Sequence, residues 1–335
     1  MIKLVQRELL SCEAIVRRAP NGGLLLIAQC GDVTEPASGN RVYVWHSRDD
    51  GDSWSPRELL LPEDGRAVYQ TEVSVIDGEV RVYVTFHNGK FCRNEHAVFV
   101  SRDSGYTWAR GGELPLDGFY FVRGLLREGN NHYLPYQRYD FPPELSARLA
   151  REGKYLWDGD HKAVYSGVLR SRDNGKTYLP CEREAALPIG YRDGKLKFVW
   201  SEPAIARLPD GRLVMLLRFD YAGRLYRSFS SDDGASWSAP EPTEIPNPSN
   251  KVCLTSSGDG RIALFHTPDP VHGMAHRHPL EVWLSGDGMK SWEKKTLWDL
   301  DGWISYPDGF IENGVAYCSV ELNRHDVYFI REKIF

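Results

Sequence analysis

The sequence has no uninterrupted apolar run long enough to cross a bilayer. It has no surplus of basic residues either. Lys and Arg number 41 against 46 Asp and Glu, a net charge of −5, so the cationic footprint of a nucleic-acid binder is missing. Its six cysteines, Cys12, Cys30, Cys92, Cys181, Cys253 and Cys318, include no CxxC pair. The opening stretch "MIKLVQRELLSCEAIVRR" has no long apolar segment and no small-residue cleavage site. A cytoplasmic protein with buried, reduced thiols is therefore expected. Neither GxGxxG nor a Walker sequence occurs, so no nucleotide cofactor is expected. Nucleic acid and membrane are not expected partners.

What is abundant is aromatic: 12% of residues, including 10 Trp and 17 Tyr, types that favour strands and line sugar sites. A repeat is also present. "SRDDGDSW" from Ser47 returns as "SRDSGYTW" from Ser101, "SRDNGKTY" from Ser171, "SSDDGASW" from Ser230 and "SGDGMKSW" from Ser285. Each copy follows a short alternating or apolar run such as "RVYVWH" or "PLEVWL", which reads as a strand. Within each copy, Asp can bond the turn's own amides and Gly can take a positive φ. Upstream of each copy lies a hairpin with turns such as "PNGG", "IDGE", "PDGR" and "GDGR". The unit is strand, turn, strand, loop, strand, box, strand: one four-stranded blade.

The pattern predicts an all-β, six-bladed β-propeller filling residues 1–335, with "IKLVQ" supplying the last strand of blade six and closing the ring. One insertion, at about 138–163 in blade three, carries "PPELSARLAREG", with Pro and Gly placed to start and stop a helix. Blade topology puts the boxes at the end opposite the working face, so they are read as scaffold. First-strand starts at the working end hold Ser11 and Glu13, Glu72, Arg123, Glu202, Lys251, and Tyr306 with Asp308. Second-strand ends lead to Asp32 and Glu35, His87 and Asn88, Gln137, Arg218, His266 and Glu321. An axial pocket built from these residues is expected.

The five boxes and their spacing resemble the sialidase (neuraminidase) superfamily over nearly the whole chain. The resemblance implies a six-bladed propeller acting on a carbohydrate. "WSEPAIARLPDGRLVMLLR" matches the family's Glu and Arg with Glu202 and Arg218, "HRHPLEVWLS" supplies Arg277, and "ISYPDGF" supplies Tyr306. In "GDVTEPASGN", Glu35 takes the acid/base position, with Asp32 as second choice. The family's blade-one Arg, one of three gripping a sugar carboxylate, is absent: "SCEAIVR" puts Ser11 there. Ser does not replace a bidentate guanidinium, which argues against true sialidase activity.

The expected activity is therefore an exo-acting, sialidase-like glycoside hydrolase for a small oligosaccharide with an acidic or deoxy sugar. Glu35 would be its acid/base, and Tyr306 its nucleophile, activated by Glu202. Arg218, Arg277, Arg123, Arg324, Asp32, Glu72, His87, Asn88 and Gln137 are the candidate substrate-binding residues. Two alternatives stay open. One is a uronate-directed lyase with His87 or Tyr306 as base, and the other is a non-catalytic glycan-binding propeller. His272, His276 and His278 in "HGMAHRH" are close in sequence, but no paired carboxylates accompany them there, and no metal is expected.

Overall fold

The computed structural model describes residues 1–159, 164–187, 200–220, 222–269 and 276–335, with the backbone of 191–192 and 195–196. Antiparallel sheets form six blades around an axis. Blade one runs Ser11–Arg18, Leu24–Cys30, Arg41–Ser47 and Glu58–Leu59. Blade four repeats the order with Ala204–Arg207, Leu213–Leu217, Arg224–Ser230 and Glu241–Pro246. In blade six, Ile304–Glu312, Val315–Leu322 and Asp326–Lys333 are completed by Ile2–Gln6, which pairs antiparallel with the last of them. The N-terminal strand thus closes the ring, as the sequence pattern predicts, and removes two sheet edges.

The core lies between blades. Ile15, Leu25 and Val44 of blade one pack with Val73, Val82 and Phe86 of blade two. Phe265 and Val282 of blade five pack with Ile304 and Val320 of blade six. All six cysteines are buried and free.

The boxes are turns stitched by one motif. The Ser hydroxyl accepts the N–H four residues on, at 2.7–2.8 Å, from Gly51, Gly105, Gly175, Gly234 and Met289. The box Asp gathers the next hydroxyl and amides. Donation from the Ser53 or Thr107 side chain, then from the same residue's N–H, holds Asp49 and Asp103 at about 2. The four glycines have φ between 73° and 96°. In the looser fifth box Met289 carries the same left-handed backbone at φ 68°, a conformation strained by about 1–2 kcal/mol for a residue with a Cβ.

The insertion does form a helix, Pro143–Glu152, with Pro142 at its N-cap and Gly153 at φ 66° ending it. Leu149 and Leu156 are buried, and Leu156 N–H donates to Lys90 O at 3.0 Å. The insertion is thereby docked on the 88–92 loop of blade two.

Two first strands begin earlier than the sequence reading places them. Ala67–Ile76 starts five residues before Glu72, and Phe119–Val122 precedes Arg123. Their openings are aromatic ("AVYQ", "FYFV") and pack beneath the working face, so Glu72 and Arg123 lie down the channel and not at its rim.

A Cβ on Gly51 would meet the Phe329 ring at 2.0 Å, whereas one on Gly22 meets nothing within 4 Å, and both sites have positive φ. Gly51→Ala is expected to lower the unfolding free energy by about 2–4 kcal/mol, and Gly22→Ala by only about 1 kcal/mol. Chemical denaturation of the two variants side by side measures the difference, and equal losses would refute the packing account.

Candidate active site

A cavity of about 250 Å³ opens at the axis on the face opposite the boxes, lined by Glu35, Pro36, Tyr69, Phe91, Trp157, Trp200, Glu202, Asp220, Tyr306 and Arg324. Blades one, two, four and six and the insertion contribute to it. Glu202 and Tyr306 enter from first strands in the left-handed region, at φ 33° and 51°, and Glu13 below them has φ 54°. Bulges at Cys12/Ile15 and Ser305/Asp308 accompany two of these turns. Such kinks re-aim a side chain toward the axis at a cost in backbone strain, a pattern concentrated at functional sites.

Arg218 is the clamp. Its Nη1 donates to Glu202 Oε2 at 2.8 Å and to Tyr306 Oη at 3.4 Å, and its Nε donates to Asp220 Oδ1 at 2.6 Å. One nitrogen therefore fixes both the carboxylate and the phenol. Burial alone would lower the Arg218 pKa, but the charges of Asp220 and then Glu202 outweigh it and raise it. Burial, followed by the Glu202 charge, pushes the Tyr306 phenol well above its ordinary value, so Tyr306 rests protonated.

Glu35 projects from the loop after blade one's second strand and forms an ion pair with Arg324. Arg324 stands at φ 61° in the 322–326 turn, its guanidinium 5.6 Å from the Tyr306 ring centre. Ser11, at the position of the missing arginine, donates its N–H to Arg324 O at 2.8 Å. The backbone of blade six thus meets the position where blade one lacks an arginine, and the Arg324 side chain turns to Glu35 and the Tyr306 ring.

Arg277 differs from the other arginines. It is 2% exposed and lies 5.7 Å from the Tyr306 ring centre. Its partners are uncharged: Ser305 Oγ at 3.0 Å and the Ser249 carbonyl at 2.6 Å. Among the described residues no carboxylate forms an ion pair with it. Burial, followed by the neighbouring Arg218 charge, pulls its pKa down to about 10.

Below the pocket the channel is filled by alternating charge. Arg123 pairs with Glu13 and lies 3.8 Å from Glu202. Lys251 contacts Glu13 at 2.9 Å and Asp308 at 3.4 Å. Arg17 pairs with Asp308 and lies 3.7 Å from Glu72. Burial would raise Glu13, but Arg123 and then Lys251 outweigh it and hold it low. Burial does raise Glu72, against the pull of Arg17.

Several candidate binding residues therefore lie outside the pocket lining. Glu72 faces the channel's other mouth, where it accepts from Gly124 N at 2.5 Å and Ser74 Oγ at 3.0 Å. Arg123 is a plug residue under Glu202. Gln137 supports the floor, accepting from Glu202 N at 2.9 Å and donating to Tyr139 Oη at 2.8 Å. Asp32 folds its own loop, accepting from Val33 N at 2.8 Å and Gly39 N at 3.1 Å. Asn88 does the same for Lys90 N and Cys92 N, both at 3.2 Å. His87 lies behind Phe91, 4.4 Å between ring centres, with Nδ1 accepting from Gly89 N. Burial holds it neutral, at about 3, and it does not face the cavity.

The aromatic wall was not anticipated. Tyr69, Phe91, Trp157 and Trp200 occupy loops and strand openings, where no local pattern separates a lining ring from a core ring. Trp157 arrives on the insertion and meets Phe91 and Trp200 at 6.2 and 6.3 Å. Asp220, two residues after Arg218, is the one signal that spacing offers.

His276 and His278 meet carboxylates that sequence proximity does not reveal, while His272 lies outside the described residues. His276 bonds Asp269 through Nδ1 and Asp301 through Nε2, both at 2.9 Å, and these contacts, Asp269 first, raise its pKa.

Residues 40–320 match the BNR repeat-like domain family. The chain belongs to that family. This BNR propeller is similar in structure to a protein of unknown function from Dyadobacter fermentans, with 14% identity over 100% of this chain and 98% of that one, at a TM-score of 0.74. It is also similar to the Hadza microbial sialidase Hz136, with 16% identity over 100% and 68% of the two chains, at a TM-score of 0.76. Trypanosoma rangeli sialidase matches at 14% identity and a TM-score of 0.70, over 97% of this chain and 55% of that one, so the BNR propeller spans about half its length. At such identities the likeness is one of fold. Among curated proteins, none matches the sequence.

Two outcomes follow from the charge arrangement. Arg218→Met leaves Glu202 and Asp220 buried without their partner and is expected to cost about 3–5 kcal/mol of unfolding free energy. Arg277→Met removes a buried charge that no carboxylate offsets, so the free protein's denaturation midpoint should hold or rise. A large destabilisation by Arg277→Met would refute this assignment. Separately, burial, then Arg41 for His87 and Lys294 for His266, holds both histidines at about 3. The unfolded chain binds their protons from about pH 6.5 downward. Their contribution to stability is intact above that pH and is lost as pH falls toward 3. Their imidazole NMR shifts should stay at neutral positions down to about pH 4, and titration near pH 6 would contradict the burial argument.

Proposed function

We propose that this BNR propeller is a sialidase-like glycoside hydrolase that takes a terminal sugar bearing a carboxylate. The observation that carries the reading is Arg277, a buried guanidinium beside Tyr306 with no carboxylate partner among the described residues. A buried cation is costly unless paired, and a substrate anion supplies the missing charge. Arg324 lies on the same ring and is held by Glu35, which an incoming carboxylate can displace. Arg218 is occupied by Glu202 and Asp220, so its role is to position those groups.

In the reaction, the Tyr306 oxygen attacks the anomeric carbon while Glu202 takes the phenolic proton. Arg218 Nη1, already in contact with both groups, steadies the charge as it moves. A protonated phenol approaches an anionic sugar without the repulsion a carboxylate nucleophile would meet. Glu35, released from Arg324 by the incoming carboxylate, takes a proton from solvent and gives it to the leaving oxygen. It then draws a proton from the water that attacks the anomeric carbon; the bond to the tyrosine oxygen breaks, Glu202 returns its proton to that oxygen, and the free sugar leaves. The aromatic wall of Tyr69, Phe91, Trp157 and Trp200 suits the apolar face or an acyl substituent of that sugar.

The test is a panel of 4-methylumbelliferyl glycosides, with carboxylate-bearing sugars (nonulosonates and uronates) set against their neutral counterparts. Fluorophore release is expected from an acidic member only. Tyr306→Phe and Glu202→Gln should each lower turnover by about a thousandfold, Tyr306→Phe with little change in melting. Preference for a neutral sugar, or full activity in Tyr306→Phe, would defeat the proposal.

A further inference from the structure

Outside the pocket, a group of metal-binding side chains among the described residues lies where the segment carrying Arg277 meets the loop leading into blade six. One ligand atom each from Asp269, His276 and His278 lie within 4.8 Å of one another. Asp301 Oδ1 lies 2.9 Å from His276 Nε2 and 3.8 Å from His278 Nε2. The two rings are 4.4 Å apart and nearly perpendicular, at 74°. We propose that His276, His278 and Asp301 bind a divalent transition metal of the zinc type, with Asp269 as the carboxylate behind His276.

The spacing supports a single ion. Donors about 2.1 Å from a tetrahedral centre stand about 3.4 Å apart, and the separations of Asp301 from the two imidazole nitrogens fall on either side of that value. Asp269, itself 8% exposed, accepts from His276 Nδ1. That contact fixes the ring and leaves Nε2 as the ligand, the carboxylate–histidine–metal arrangement of known sites. Among the described residues His278 Nδ1 has no hydrogen-bond partner, and it lies 3.8 Å from Asp299 Oδ1, which can back the second ring in the same way. Two imidazoles with a carboxylate favour zinc, cobalt or nickel over calcium and magnesium, which take oxygen ligands.

The ion would join two segments that matter to the pocket. Arg277 lies between the two histidines. Its N–H donates to Gly302 O at 3.2 Å, and Ile304 N–H donates to its carbonyl at 3.0 Å. A metal bridging 276–278 to Asp301 would hold Arg277 in register with the strand that delivers Tyr306. Its role is structural, and no reaction step passes through it.

The experiment uses full-length, tag-free protein stripped with a chelator and dialysed against Co²⁺ or Zn²⁺ alone. One ion per chain is expected, with the intense visible bands of tetrahedral Co²⁺, and Zn²⁺ should raise the melting temperature. His276→Ala and His278→Ala should lose the ion. Asp269→Asn should weaken binding about tenfold to a hundredfold. Asp301, whose side chain is 83% exposed, provides the variant that folds regardless: Asp301→Asn should keep the metal-free melt and weaken Co²⁺ binding at least tenfold. Absence of stoichiometric binding by the unmodified chain, or unchanged binding in Asp301→Asn, would overturn the proposal.

Discussion

The working face depends on the column of alternating charge along the propeller axis. A hub where six first strands converge must be filled, and here it is filled by ions and not by hydrocarbon. Glu202, Arg123, Glu13, Lys251, Asp308, Arg17 and Glu72 succeed one another from the pocket floor to the opposite mouth. Each is buried or nearly so and each touches an opposite charge, which offsets the desolvation that would otherwise expel it. Such a column contributes little net stability compared with an apolar plug. It does supply a rigid, polar floor beneath Glu202 and the Tyr306 phenol.

Above that floor the pocket divides into two halves. One side is guanidinium and carboxylate: Arg324, Glu35, Arg277 behind Tyr306, and Glu202 with its clamp. The other is aromatic, from Tyr69 round to Trp200. The division suits a ligand with one charged edge and one apolar face. It also explains the insertion, whose helix buries Leu149 against the body so that Trp157 can be held over the opening.

The ring itself is legible in the sequence because its signals are local. Ser, Asp, Gly and the following hydroxyl act within one turn, so five copies, with the boxless strands that follow the last of them, give the blade count without knowledge of tertiary structure. Glu202, Arg218 and Tyr306 are legible because each sits where a first strand opens or a second strand ends, and because the family resemblance implies those positions. Glu72 and Arg123 mislead for a reason in the chain: their strands open with aromatic residues that belong to the buried wall, which pushes the charged residue several places down the channel. Arg324 shows the opposite effect. It stands in a turn with no motif; the sequence offers it as a candidate, but its pairing with Glu35 follows only from the junction of first and last blades. The carboxylates around His276 are hidden likewise, since Asp301 is 25 residues away along the chain.

The cavity straddles the seam of the ring. Glu35 comes from the first blade, while Tyr306 and Arg324 come from the last, whose outer strand is the N-terminal segment held by backbone hydrogen bonds. Whatever bridges those side chains spans the joint between first and last blades from within, while the N-terminal strand fastens it from the outside.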